Sequence, residues 1–217
     1  MRKIKFVNGE YYHILNRGVD KRNIFLDKED LRRFIQGLQE FNTLDPIGSI
    51  YESQLRKKHN ENGNLVSTRD DSKIVDFICY CINPNHYHFI LVQLSDNGIR
   101  KFMQRIALGY SKYFNLKYKR SGTLFQGPYK ATHIDSNDYL LHASAYINLN
   151  NKVHGLENVL YKSSWGEYCQ DIYKGIAFCK KDIVLKQFLN SDEYKSFAEE
   201  SLKSIHERKE LEKLLLD

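Results

Sequence analysis

Asn83-Pro84-Asn85-His86-Tyr87-His88-Phe89-Ile90-Leu91-Val92-Gln93-Leu94 is the stretch from which the rest of the chain can be placed. Asn-Pro-Asn is turn chemistry, because proline presets φ and asparagine tolerates tight backbone conformations. The β-branched and aromatic run that follows predicts a strand. Side chains alternate along a strand, so His86 and His88 project from one face, roughly 6–7 Å apart along the backbone, and Tyr87 from the other. Two imidazoles so placed can hold one divalent cation if a third group arrives from elsewhere. By spacing alone, two ordinary histidines on a half-buried face would read the same way.

Working outward, residues 73–82 predict the other arm of a hairpin and residues 10–17 a first strand closed by Gly18. Asp27 reads as a helix N-cap, ahead of Leu31, Phe34, Ile35, Leu38 and Phe41 at helical spacing. Residues 45–73 are polar and contain Pro46, Gly48 and Gly63, an insertion with a short helix around 51–58. Downstream, residues 97–118 predict a long amphipathic helix with Ile99, Phe102, Met103, Ile106, Tyr110 and Phe114 on one side. Residues 130–134 predict a fourth strand, and Ser136 or Asn137 caps a helix running to about Asn150. Strand, helix, strand, strand, helix, strand is an α+β pattern: a ferredoxin-like antiparallel sheet with helices on one face, plus one added helix. Residues 1–155 then form the main domain and 156–217 a helical C-terminal extension. In that extension Ser163-Ser164-Trp165 reads as a docking turn, with helices at 181–188 and 192–216.

The 217 residues are 41% apolar and 13% aromatic, the balance of a globular protein with a sizeable core. No run of about 18 apolar residues exists, so no membrane partner is expected. The N-terminus lacks the apolar core of a signal peptide, and a cytoplasmic location follows. Four cysteines without a Cys-x-x-Cys pair argue against a disulfide scaffold, although Cys79 and Cys81 share a strand face near the histidines and raise structural zinc as a rival.

The net charge of +6 is concentrated. Between Asn97 and Ile134 there is no Asp or Glu, while Arg100, Lys101, Arg105, Lys112, Lys117, Lys119, Arg120 and Lys130 all fall inside, interleaved with aromatic residues. Cations for phosphates beside aromatic faces for unstacked bases is the composition of a single-strand nucleic-acid binder. Arg17, at the end of the first strand, is a further candidate phosphate contact.

Tyr146 and Asn150 stand one helical turn apart. An amide oxygen such as that of Asn150 is a hard ligand, suited to Mg²⁺ or Mn²⁺ together with two imidazoles. A phenol with its ordinary pKa of about 10 is a poor nucleophile unless a cation polarises the phosphate it attacks. Spacing alone does not separate Tyr146 from Tyr139, two turns earlier.

Four spaced motifs stand together: Tyr12-His13-Ile14-Leu15-Asn16-Arg17-Gly18, Asn83-Pro84-Asn85-His86-Tyr87-His88, Leu124-Phe125-Gln126-Gly127 and Tyr146-Ile147-Asn148-Leu149-Asn150. Through them, over about residues 8–170, the chain resembles the single-tyrosine transposases of the HUH nuclease superfamily. Within these it resembles the REP-associated tyrosine transposase branch of the insertion-sequence-like transposases. The resemblance implies metal-dependent transesterification on single-stranded or hairpin DNA. Tyr146 would be the nucleophile, left joined to the 5′ phosphate as a 3′ hydroxyl is released. His86, His88 and Asn150 would hold the metal. Relatives occur as dimers and monomers, so a homodimer and a monomer both fit. A domesticated module that grips DNA or RNA hairpins without cutting is the alternative, and a phosphodiesterase that uses water a weaker one.

Overall fold

The computed structural model describes residues 4–61, 70–156, 158–170, 173, 175 and 177–214. Strands β1 (Tyr11–Arg17), β2 (Val75–Asn83), β3 (His86–Gln93), β4 (Lys130–Ile134) and β5 (Lys162–Ser163) form one sheet in the order β4-β1-β3-β2-β5, all strand pairs antiparallel. Without β5 this is the ferredoxin-like order predicted from the element pattern. The polar insertion carries a helix at Ile50–Glu61, and residues 62–69 of it lie outside the described residues.

Helices α1 (Lys28–Glu40), α2 (Ile50–Glu61) and α3 (Gly98–Lys117) precede β4 or flank the hairpin; α4 (Asn137–Asn148) and the one-turn α5 (Asn150–Val153) follow it. Asp27 caps α1 by accepting from the Asp30 amide at 2.9 Å, and Ser136 caps α4 from the Tyr139 amide at 3.3 Å. The strand alternation then sorts the core into two layers. Tyr12, Ile14, Tyr87, Phe89 and Leu91 pack under α1 and α3 with Phe34, Phe102, Ile106 and Tyr110. Ile90, Val92 and Cys81 pack on the opposite face, under α4, with Leu140, Ala145 and Ile147. A register shift between Phe77 and Cys79 lets both Ile78 and Cys79 point to this second layer.

The C-terminal extension packs onto the sheet. β5 adds an edge beside β2, the short α6 (Trp165–Cys169) and α7 (Asp182–Leu185) follow, and α8 (Ser191–Leu214) lies on α4. A buried polar chain pins α4 from below. Asn148 Nδ2 donates to the Tyr194 hydroxyl at 2.9 Å, Ser164 Oγ donates to Asn148 Oδ1 at 2.6 Å, and the Tyr80 amide donates to Ser164 Oγ at 2.9 Å. Asn148 thus ties α4 to β2 and α8, beside the Ser144 Oγ contact with the Tyr194 hydroxyl at 3.1 Å, and helps set the position of Tyr146. Among the described residues no helix is long and apolar enough to cross a membrane.

The hairpin turn is clamped from the β1–α1 connection. Ile24 and Phe25 donate backbone N–H groups to the Pro84 carbonyl at 2.8 and 3.0 Å, and Gly18 N–H donates to the Asn85 carbonyl at 2.8 Å. Gly18 is needed for space: a Cβ there would stand 2.2 Å from the Arg22 carbonyl oxygen. Gly18→Ala should therefore lower stability by roughly 1–3 kcal/mol, the range for overpacking a tight site, read as a lower urea midpoint.

Candidate active site

β3 places His86 and His88 on the α4 side of the sheet, and β1 adds His13 to the same side, where His13 pairs with Ile90 and Leu15 with His88. α4 carries Tyr146 over them. The Tyr146 ring centre lies 5.8 Å from that of His88 and 6.5 Å from that of His13, edge to face in both cases. α4 ends at Asn148, and Leu149 leaves helical geometry before α5 begins. Asn150 still reaches the histidines, with its Oδ1 3.0 Å from His86 Nε2. His86, His88, Asn150 and Tyr146, scattered over three elements, thus meet in one place.

Each candidate ligand has a partner behind it. Asn85 Nδ2 donates to the Lys21 carbonyl at 3.0 Å, which turns Asn85 Oδ1 toward His86 Nδ1, 2.6 Å away. The proton of His86 then belongs on Nδ1, and its Nε2 lone pair faces Asn150 Oδ1. Asn83 Nδ2 reaches both atoms, at 2.9 Å from His86 Nε2 and 2.8 Å from Asn150 Oδ1. His88 Nδ1 sits 2.8 Å from His13 Nε2, which frees His88 Nε2 on the other side of its ring.

This donor set fits a divalent cation. His86 Nε2 and Asn150 Oδ1 are two acceptors 3.0 Å apart that share one donor, the Asn83 amide, and a cation drawing on both lone pairs would take the place of that contact. Burial keeps all three imidazoles neutral, the form that ligates metal: His13 is lowered to about 4, His86 below its ordinary value, and His88 well below it, burial being the main cause each time. Asn150 Nδ2 is buried with no acceptor within hydrogen-bonding geometry, and as an N–H donor it suits an oxygen such as that of a phosphate or of Tyr146, while Oδ1 is the atom that would ligate a cation. Burial raises the Tyr146 phenol above its ordinary pKa, the Asn150 side chain acting the other way, so at neutral pH it is a protonated hydroxyl.

Cys79 and Cys81 do lie on this face, with Cys81 opposite His88. Both are buried and free, and burial raises Cys81 to about 12 and Cys79 well above its usual range. They are packing groups, Cys81 Sγ donating to Asn83 Oδ1 at 3.6 Å, and among the described residues no set of three His, Cys, Asp or Glu side chains gathers around them as structural zinc would need.

The expected DNA contacts divide by layer. Arg17 borders the site, where its Nε donates to Gln126 Oε1; the Gln126 amide in turn donates to the Arg17 carbonyl at 2.8 Å. That is what the Leu124–Gly127 motif does. Lys130 pairs with Leu15 and so faces the same side at the sheet edge. Arg100, Lys101 and Lys112 are exposed on α3, over the opposite face, and Lys119 is exposed just beyond it.

Three more cations have tasks inside the protein. Arg105 donates to the carbonyls of Phe41, Thr43 and Leu44, closing the end of α1. Lys117 is bound by Asp27, Glu29 and buried Asp30 at 2.8, 3.2 and 2.9 Å. Arg120 is tied to Asn115 Oδ1 at 3.0 Å and the Thr123 carbonyl at 3.2 Å. Arg105 and Lys117, both expected as DNA contacts, thus hold intramolecular partners in the free protein. His154, whose ring centre stands 5.2 Å from that of His86, is a site residue that no spacing in the sequence singles out.

The family model for IS200-like transposases matches residues 6–150 of the chain, which spans all four motifs and every candidate ligand. The chain belongs to the IS200-like transposase family. Among solved structures, the transposase matches a REP-associated tyrosine transposase bound to a REP hairpin. The TM-score is 0.52 and the identity 12%, over 80% of this chain and 87% of that one, a likeness of fold. It also aligns with a crystal structure of a transposase candidate from Deinococcus radiodurans R1, at 12% identity over 73% of this chain and 100% of that one. The TM-score of 0.34 is too low to argue from. No curated protein matches the transposase in sequence.

Proposed function

We propose that this transposase cuts and rejoins single-stranded, hairpin-forming DNA by transesterification at Tyr146. The observation that carries the reading is the meeting of Tyr146 with a neutral His86–His88–Asn150 set: a hydroxyl nucleophile beside a place for positive charge. The family and the hairpin DNA bound to the REP-associated relative both support DNA as substrate.

Tyr146 Oη attacks the scissile phosphorus. The P–Oη bond forms as the P–O3′ bond breaks, leaving a 5′-phosphotyrosine and a free 3′ hydroxyl. One phosphodiester is exchanged for another, so the broken strand stays activated for rejoining. His86, His88 and Asn150 would hold Mg²⁺ or Mn²⁺, which when bound supplies positive charge to the phosphate oxygens. Asn85, His13 and Asn83 fix the orientation of those three side chains. Arg17 offsets charge on the incoming strand.

The test is incubation with 3′-labelled, hairpin-containing single-stranded DNA and Mn²⁺, followed by a denaturing gel, because the piece 3′ of the break is the one that stays on the tyrosine. A covalent adduct is expected. Binding without cleavage would make the protein a hairpin-binding module, and cleavage without adduct would make water the nucleophile.

His13 is expected to act through His88. His13→Ala should weaken Mn²⁺ binding about 10–100-fold, the usual effect of removing a partner behind a ligating histidine, measured by calorimetric titration of the folded protein. His13→Gln, whose Oε1 can still accept from His88 Nδ1, should restore part of that loss. Equal affinities in wild type and His13→Ala would remove His13 from the account.

A further inference from the structure

The rings of the site form a row. His13 and Tyr146 stand at one end, then His88, whose ring centre is 5.1 Å from that of His13. His86 follows at 5.3 Å and His154 after a further 5.2 Å. A cavity opens at each end of the row, and the two differ in charge. At the Tyr146 end, about 740 Å³ between α4 and α8 is lined by Asp138, Glu200, Ser201 and Tyr139, with no Lys or Arg among the described residues. At the His86 end, about 640 Å³ is lined by Arg17, Lys21, Asn23, Asn85 and His154, with no carboxylate among the described residues.

Displacement at phosphorus proceeds in line, with the entering and departing oxygens on opposite sides of the atom attacked. A phosphate held at His86, His88 and Asn150 and attacked from the Tyr146 side must release O3′ toward His86 and His154. The phenolic proton passes to water, O3′ takes one up from water, and the count of P–O bonds is unchanged. The strand attached to O3′ carries one negative charge per nucleotide, which the cationic cavity offsets and the acidic one repels.

We propose that the cavity bounded by Arg17, Lys21 and His154 holds the single-stranded segment on the 5′ side of the broken bond, the piece that leaves with the 3′ hydroxyl. The assignment rests on Tyr146 being the nucleophile. The chemistry of the wall suits such an occupant. Arg17 is braced through its Nε on Gln126, which leaves its two terminal nitrogens for a phosphate. His154 is exposed at the rim, set against the His86 ring, and its imidazole is of the kind on which an unpaired base stacks. Asn23, also exposed, can read a base edge. In this arrangement the strand that will later attack to rejoin is kept beside the phosphotyrosine.

The probe is a pool of 5′-fluorescein-labelled 40-nucleotide single strands, each with a central hairpin and randomised flanks, given to the full-length protein with Mn²⁺. Members that form adduct are recovered and sequenced, the cut position is mapped, and release of the labelled 5′ fragment is followed by fluorescence anisotropy. Lys21→Glu and His154→Ala should each release that fragment about tenfold faster, with a shallower salt dependence for Lys21→Glu. Arg32→Glu, exposed on α1 over the far layer, should release it at the wild-type rate. Independently of any variant, 4-thiothymidine placed just 5′ of the mapped cut should photo-crosslink to a peptide containing Lys21 or His154. Adduct formation with unchanged release, or a crosslink to the α8 peptide containing Glu200, overturns this assignment alone. No adduct from any member of the pool overturns both the assignment and the nucleophile on which it rests.

Discussion

Tyr146→Phe is expected to abolish the covalent adduct and to lower strand cleavage at least about 10⁴-fold, since it deletes the one atom that forms the new bond to phosphorus. Apart from the hydroxyl's hydrogen bond with Asn150, the contacts of the site should stay. The Tyr146 ring meets His13 and His88 through its edge and face, contacts that phenylalanine keeps. Affinity for hairpin DNA should therefore stay within about twofold of wild type, because phosphate contacts and not the hydroxyl dominate binding. Tyr139→Phe is the control. Tyr139 lines the acidic cavity two turns back along α4, and its loss should leave adduct formation intact. Adduct from Tyr146→Phe, absent from Tyr139→Phe, would transfer the role to the earlier phenol.

Lys117→Met should destabilise the fold by roughly 3 kcal/mol, read as a lower urea midpoint at an unchanged slope. Asp30 is fully buried, and its carboxylate is held by Lys117 together with the Leu26 amide and the hydroxyls of Tyr113 and Tyr118. Removing the ammonium leaves a buried negative charge with hydrogen bonds but no counterion, the costly half of a broken ion pair. The deficit should shrink in acid. The Lys117 hydrogen bond is the main cause holding Asp27 down to about 2, against 3.8 in the unfolded chain. A depressed carboxyl adds stability above its unfolded pKa and loses it as pH falls through the folded one, so the share of the deficit that runs through Asp27 should fade between about pH 4 and 2. At neutral pH the folded fraction of Lys117→Met should bind DNA as wild type does. A loss of affinity with no loss of stability would return Lys117 to the nucleic-acid surface.

Lys117 also marks where linear reading stops. A stretch of cations without carboxylates says that charge is available, and it cannot say what the fold brings up to meet it. Here the N-terminal turn of α1 brings Asp27, Glu29 and Asp30 against the end of α3, and the last turn of α1 brings free carbonyls to Arg105. Periodicity showed which side of α3 is buried, yet which face of the sheet it covers depends on chain crossovers that no local pattern records. Arg100, Lys101 and Lys112 consequently lie over the layer opposite the histidines.

The hairpin, by contrast, was legible because its signals are local: turn residues at 83–85, alternation from His86, and a register of Asn83 against His86 set by a two-residue loop. The same alternation placed the imidazoles on one face. Asn83 and Asn85 read as turn formers and nothing more, although their amides orient His86 and Asn150. His154 was invisible, since its approach to His86 depends on the break at Leu149 that starts α5 and turns the chain back over the site.

The most direct measurement is tandem mass spectrometry of the tryptic peptide that carries DNA after reaction with labelled hairpin substrate and Mn²⁺. The account predicts the peptide from Ala131 to Lys152, with the nucleotide remnant on Tyr146 and a yield that falls to background when the divalent cation is chelated. DNA on Tyr139 or on any other peptide, or an adduct that forms equally well with no divalent cation present, would contradict it.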